Sequence, residues 1–478
     1  MGLYCEAIAI TGQYDMNDRR VERRNPFLSV CFIVVMCGAG TAANGGDAAR
    51  GREHLLAHAY LPADFDQEVF DELWTTWEEP LKARAARAPV AERRRMAMDR
   101  YGLTPHPDDP SRSLQYVVGA DGAWTMSCLA CHQGQVQGRT IPGVANSTYA
   151  LETLTEEVRA VKVRQRKAFG HMDLGSLLLP LGTTVGTTNA VIFGVALMRH
   201  RDADLAIVQR PPRFDLLHHD MDAPAWWHYR RRRSLYVDGF AAKGHRVLMQ
   251  FLLVKENGPE KFRDWEDEFR DIEAWIASLE PPRWPGAIDA ALAERGRGVF
   301  GRHCAECHGT YGPDGVYPER LVPLAEIATD PVRLQSLSQA DRRALNASWF
   351  GHFGADRRAA DVDLAAREAG TGYVAPPLDG VWATAPYLHN GSVPTLWHLL
   401  HPDARPVVWR RSATGYDDRR VGLEVEERDD MPPEKLPPPE RRRFFDTRKP
   451  GKSAAGHDFP AALDDAEKAA VLEYLKTL

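Results

Sequence analysis

Cys128-Leu129-Ala130-Cys131-His132 and Cys304-Ala305-Glu306-Cys307-His308 are two copies of one five-residue pattern, Cys-x-x-Cys-His, and their reading decides the fold. Two thiols spaced this way add across the two vinyl groups of a haem, and the adjoining histidine is held directly under the iron as its proximal ligand. A thioredoxin-like Cys-x-x-Cys wants a βαβ context and no obligatory His, and a zinc site needs further Cys or paired His at set spacing. Neither accompanies these motifs. The sequence therefore predicts two covalently bound haem c groups, one on Cys128, Cys131 and His132 and one on Cys304, Cys307 and His308.

The other three of the seven cysteines, Cys5, Cys31 and Cys37, lie in or before a segment that reads as an export signal. Arg19, Arg20, Arg23 and Arg24 precede an apolar stretch from Phe27 to Met36, and Thr41-Ala42-Ala43 offers a cleavage site. Cleavage near Ala43 leaves only the haem cysteines, so no disulfide is expected. The apolar run is short for a membrane-spanning helix, and Met36 is bulky for a lipoprotein signal at Cys37. A signal peptide over 1–43 and covalent haem together imply a periplasmic or secreted bacterial protein with no integral span in its mature form.

The remaining composition is that of a globular chain: 478 residues, 44% hydrophobic, 26% charged, enough for two or three domains. A formal net charge of -6 gives no nucleic-acid footprint. The local run Arg230-Arg231-Arg232-Arg233 reads either as a solvated face or as a docking patch for an acidic redox partner or for haem propionates.

Helical periodicity sets the domain plan. Ala290 to Phe300 predicts a helix leading into the second motif, with close-approach glycines at Gly296 and Gly298, and Leu463 to Leu475 predicts a final amphipathic helix. Such a crossing pair resembles the cytochrome c fold, giving a C-terminal haem domain over 287–478. Phe269, Ile272, Trp275, Ile276 and Leu279 form an earlier apolar stripe, read as core, that stops at a Pro-rich linker over 281–286. The N-terminal haem domain then spans 48–280. Pro432 to Pro439 reads as a surface loop. The expected class is mainly α, two cytochrome c-like haem domains with long irregular loops.

Function depends on the sixth ligand of each iron, because a doubly ligated haem only moves electrons whereas an open one can bind peroxide or dioxygen. After His132 there is no His or Met until His171-Met172, which is either a ligand pair or structural. The stretch Gly182 to Asn189 either lines a distal pocket or is a surface turn. An open first haem is favoured. His245 and Gln250, on an apolar helix expected over Val247 to Val254, are candidate acid–base partners for cleaving an O–O bond, with helix packing the plainer alternative. For the second haem the candidates are Met431, the one methionine of its domain, and His303, His352, His389, His398, His401 and His457.

The segment Pro377-Leu378-Asp379-Gly380-Val381-Trp382-Ala383-Thr384-Ala385-Pro386-Tyr387-Leu388-His389-Asn390-Gly391-Ser392-Val393-Pro394-Thr395-Leu396, with the two haem motifs and Trp226-Trp227 between them, resembles the bacterial di-haem cytochrome c peroxidase superfamily and within it the rubber oxygenase branch. The resemblance covers most of residues 110–400. It implies that His389 is the distal ligand of the second haem and that Trp226 or Trp227 relays electrons between the haems. The peroxidases place a distal His shortly after the first motif, and none stands there, which fits the branch whose first haem is already open. The chain is shorter than typical rubber oxygenases, so polyisoprene is not the expected substrate.

These readings converge on an exported di-haem oxidoreductase that activates peroxide or dioxygen at the N-terminal haem and passes electrons through the C-terminal haem. Its electron partner would be a small redox protein or dehydrogenase, and its organic substrate is unnamed by the sequence. The alternative is a pure electron-transfer di-haem cytochrome docking to a periplasmic dehydrogenase or oxidase.

Overall fold

Two helix crossings, each closed by a glycine, frame the chain. In the computed structural model, which describes residues 46–211, 217–351, 363–433 and 435–478, the helix Ala290–His303 lies across the last helix, Asp465–Leu475. Asp289 caps the first, accepting from the backbone N–H of Ala291 at 3.0 Å and Leu292 at 2.9 Å, and Asp464 and Glu467 form a capping box on the second. A Cβ at Gly296 would collide with the Ala470 carbonyl, so glycine sets how close the two helices come. Gly298 meets nothing nearer than the end of Arg302 at 3.9 Å and takes no part in the crossing, contrary to expectation.

The same device recurs upstream. Helix Ala48–Ala57 crosses Glu266–Ser278, and a Cβ at Gly51 would strike the Asp271 carbonyl. Phe269, Ile272, Trp275 and Ile276 are buried on that second helix, as their spacing predicts. The helix stops at Leu279, ahead of an extended Pro-rich segment.

That segment is fastened rather than free. Trp284 packs edge-on against Trp382 at 5.3 Å, and the Trp382 indole donates to the Pro282 carbonyl at 2.9 Å. The apolar cores also cross it. One buried cluster joins Ile192, Met249, Phe269 and Trp275 to Leu337, Leu345 and Phe350; another joins Val144, Ala225 and Trp227 to Val299, Phe300, Trp382 and Val471. Residues 45–478 accordingly form one compact unit, and the boundary read at 281–286 is not a boundary of the packing.

The fold is mainly helical, but a three-stranded antiparallel sheet, with Val408–Asp417 between Gly422–Arg428 and Phe444–Asp446, was not legible in the periodicity. Pro438 and Pro439 open a short helix to Arg441 rather than ending a loop. Among the described residues no helix is long and apolar enough to cross a membrane. The signal expected over 1–43 lies outside the described residues, which begin at Gly46.

Candidate haem sites and the residues between them

Both Cys-x-x-Cys-His motifs sit on single helical turns, Leu129–His132 and Ala305–His308. All four cysteines are free thiols. Cys128 packs against the cluster of Ile192, Met249 and Trp275, while Cys131 packs against a separate cluster of Tyr116, Trp124 and Tyr149, so the first motif lies on a seam between two cores. Cys304 packs on the third cluster. Among the described residues no three His, Cys, Asp or Glu side chains converge as a metal cage requires, which leaves these thiols without the partners of a zinc site.

The two histidines fit the proximal role. His308 donates Nδ1–H to the Pro376 carbonyl at 2.9 Å, the hydrogen bond that fixes an imidazole so that Nε2 is left for a metal. Burial lowers its pKa and pushes that of His132 down to about 4, so both rings are neutral near pH 7 and keep a lone pair. His132 stacks on Trp226, centroids 4.5 Å apart and planes at 20°.

Opposite His308 stands His457. Their centroids are 6.1 Å apart with planes at 64°. Two imidazoles sharing one metal through Nε2 bonds of about 2.0–2.1 Å would place their centroids about 6.3 Å apart. The residues therefore fit a haem iron between them. His457 is pinned there: its N–H donates to Ile327 O at 2.7 Å, and Gly456 is wedged against the Ala328–Thr329 backbone. A cleft of about 520 Å³ alongside is lined by Arg302, His303, Glu326, Ile327, Ala328, Asp458, Phe459 and Ala462.

His389 is placed elsewhere. Its ring stacks on Tyr373 at 4.3 Å, and the charges that bear on it are His219 and Arg333, not His308. Met431 lies in the loop after the Gly422–Arg428 strand, flanked by exposed Asp430. His352 falls outside the described residues.

Around the first motif the candidates separate. The segment expected to be one helix over Val247 to Val254 is a short turn, His245–Leu248, followed by a 3-10 turn, Met249–Leu252. His245 faces carboxylates, Nε2 at 3.0 Å from Glu266 and Nδ1 at 3.7 Å from Glu273, so it ties that turn to helix Glu266–Ser278. Gln250 is wholly buried, and neither of its amide atoms has a hydrogen-bond partner. It lies against Gly194 in the cluster that carries Cys128. His171 sits beside Asp64 at 3.7 Å with both ring nitrogens unpartnered. The Gly182 to Asn189 stretch is no surface turn: Thr183 donates to Asp220, Thr184 receives Lys452, and the Thr188 hydroxyl meets the Cys131 sulfur.

Two segments sew the motifs together. Trp227, fully buried, donates Nε1–H to the Asp379 carbonyl at 2.7 Å, and His228 Nε2 bonds the same oxygen at 2.8 Å. The Asp222 N–H donates to His389 O at 3.0 Å, and Trp226 stands edge-on to Trp275 at 5.6 Å. Pro376, three residues before Asp379, holds His308. A continuous packed route thus runs from His132 through Trp226, Trp227 and Asp379 to the support of His308. Asp222, on the same segment, is pushed by burial well above the ordinary carboxylate range and keeps Oδ1 unpartnered.

The basic run is consumed internally. Arg230 pairs with Glu280 at 2.5 Å, Arg231 with Asp379 at 2.9 Å, Arg233 with Glu319 at 3.0 Å, and Arg232 donates to Tyr236 O. It is a set of struts between segments rather than a spare charged patch.

Residues 372–410 match the family model described as RoxA-like, cytochrome c-like. That stretch contains Tyr373, Pro376, Asp379 and His389, and a cytochrome c-like domain implies covalently bound haem c and a redox function. The chain is also 32% identical to the uncharacterized protein y4iJ of Sinorhizobium fredii, over 43% of this chain and 42% of that protein. It is 35% identical to the uncharacterized protein y4iM of the same organism, over 43% of this chain and 53% of that protein. The matches thus span about half the length of these relatives or less.

Proposed function

We propose that this chain is an exported di-haem c-type oxidoreductase whose two sites are unequal: one iron held by His308 and His457, the other by His132 alone. The observation that carries the reading is the pair of opposed imidazoles at 6.1 Å on the second site, set against a first site where His132 stacks on Trp226. Haem bound at the first site supplies an iron at which dioxygen or peroxide can bind and be reduced.

The chain's own groups fill the remaining roles. Gln250 offers an unpartnered amide to whatever enters beside the first motif. Burial pushes the Asp222 carboxyl well above the ordinary carboxylate range, which favours its protonated form and makes it a better acid candidate than His245, whose ring is shared with Glu266 and Glu273. Trp226 and Trp227 lie between the two sites and provide the relay. The electron partner would be a small redox protein or a dehydrogenase.

Titrating the fully reduced, haem-loaded protein with carbon monoxide tests the asymmetry. One CO per two haems is expected. None would mean that both irons are doubly ligated and would favour the electron-transfer cytochrome. The relay has its own test: Trp227→Phe removes the indole N–H that bonds Asp379 and the more easily oxidised ring. Inter-haem electron transfer is expected to slow by at least about tenfold, a barrier change of about 1.4 kcal/mol. Rates unchanged in flash photolysis of the half-reduced protein would end the relay role.

A further inference from the structure

A buried cationic cluster around Asp238 has no function in the scheme above. Asp238, fully buried, receives two guanidinium groups: Arg333 Nη2 at 3.1 Å, and Arg342 Nε and Nη2 at 3.3 and 3.2 Å. Arg342 also reaches the Leu334 and Leu337 carbonyls and is satisfied. Arg333 is not. It is 1% exposed, yet its Nε–H and Nη1–H groups have no acceptor. One carboxylate facing two guanidinium groups leaves an excess positive charge inside the protein, and an uncompensated buried cation is strongly disfavoured.

Other unsatisfied polar groups gather around the same guanidinium. The Tyr236 hydroxyl is buried without a partner, its ring stacked at 4.8 Å on Phe240, over which Arg333 itself lies at 5.9 Å. His219, 1% exposed, donates Nδ1–H to the Leu217 carbonyl at 3.2 Å beside Ser336 Oγ, in the turn that carries Arg333, and its Nε2 is left as an unpartnered acceptor. Arg333 bears electrostatically on Tyr236, His219 and His389 alike. Nearby carboxylates do not answer it: Asp330 accepts from the Val332 and Ser453 N–H groups, and Asp220 pairs with Lys452 at 2.9 Å.

We propose that Arg333 and Tyr236 form a buried carboxylate-binding pocket. Nε–H and Nη1–H lie on different edges of the guanidinium, so one of them, with the Tyr236 hydroxyl beside it, supplies a charge-assisted and a neutral hydrogen bond to the oxygens of a carboxylate. The carboxylate has two possible sources, a haem propionate or a free small carboxylate, and only the first rests on the di-haem reading.

The test uses the haem-loaded protein, its haem content first measured as the pyridine haemochrome, with Arg333→Gln and Tyr236→Phe beside the parent. Resonance Raman propionate-bending modes and an acetate titration followed by calorimetry are recorded on each. A shift of a propionate mode in R333Q, smaller in the same direction in Y236F, assigns the pocket to a propionate. Saturable acetate binding to the parent that weakens by at least about tenfold in R333Q assigns it to a free carboxylate. Y236F deletes a single oxygen atom and carries both arms if R333Q fails to accumulate. Propionate modes unmoved in the variants together with no acetate binding would overturn the pocket. Absence of haem would instead strike the di-haem reading while leaving the acetate arm intact.

Discussion

Replacing His457 by alanine is expected to turn the haem on Cys304, Cys307 and His308 from low-spin to high-spin and to raise CO uptake by the reduced protein from one to two per chain. The argument is geometric. His308 is oriented by its Nδ1–H bond to Pro376, and His457 is the imidazole that stands across from it at 6.1 Å. The backbone of His457 has φ +52°, a left-handed conformation that costs a non-glycine residue about 1–2 kcal/mol. Its neighbour Gly456 also has positive φ and is pressed against Ala328 and Thr329. Strain of this kind persists where the surrounding structure fixes a side chain in place. His389→Ala and Met431→Ala should leave the spin state of this haem unchanged. If His389→Ala alone converts it, His389 is the ligand and the opposed pair is packing only. The readouts are the absorption and electron paramagnetic resonance spectra, which separate spin state from loss of haem.

Replacing Glu319 by alanine is expected to cost about 3–5 kcal/mol, the range for removing one partner of a buried ion pair. Its carboxylate is buried and accepts from Arg233 N and Nε at 2.8 and 3.0 Å and from Ser234 N and Oγ at 2.8 and 2.6 Å. Arg367, 9% exposed on its side chain, lies 3.6 Å away and also donates to the Glu319 carbonyl. The residue thus joins the 230–233 run to the segment that leads into Gly372–Val374. Burial alone would raise its pKa, but the Ser234 hydrogen bonds and the Arg232 and Arg233 charges outweigh that and hold it below the ordinary carboxylate value. A carboxyl with a depressed folded pKa contributes stability that is present above its unfolded pKa and is lost as pH falls through the folded one. The gap between parent and Glu319→Ala should therefore be widest near neutral pH and narrow in acid. Denaturant melts at several pH values check it; a gap of less than about 1 kcal/mol at pH 7 would mean the carboxylate behaves as a surface ion pair.

Much of the site was legible because the haem motif is local. Five consecutive residues bring two thiols and an imidazole together whatever the rest of the chain does, and Gly296 and the stripe on Glu266–Ser278 are equally local signals of helix packing. The 372–410 match falls on the block that carried the resemblance.

What depended on partners far apart in sequence was not legible. The seven histidines of residues 287–478 look alike as letters, and only the folded chain brings His457 to His308 while turning His389 toward Tyr373 and His219. Four consecutive arginines look like a free charged face until Glu280, Asp379 and Glu319 are seen against them. The residues at 281–286 look like a linker until Trp382 is found bonded to Pro282. The sequence by itself determined the covalent attachment chemistry, since adjacency along the chain is enough for it. The tertiary structure decided which imidazole stands across from His308, which segments bind the two motifs together and how buried charge is balanced, because each is a contact between segments whose separation no local pattern encodes.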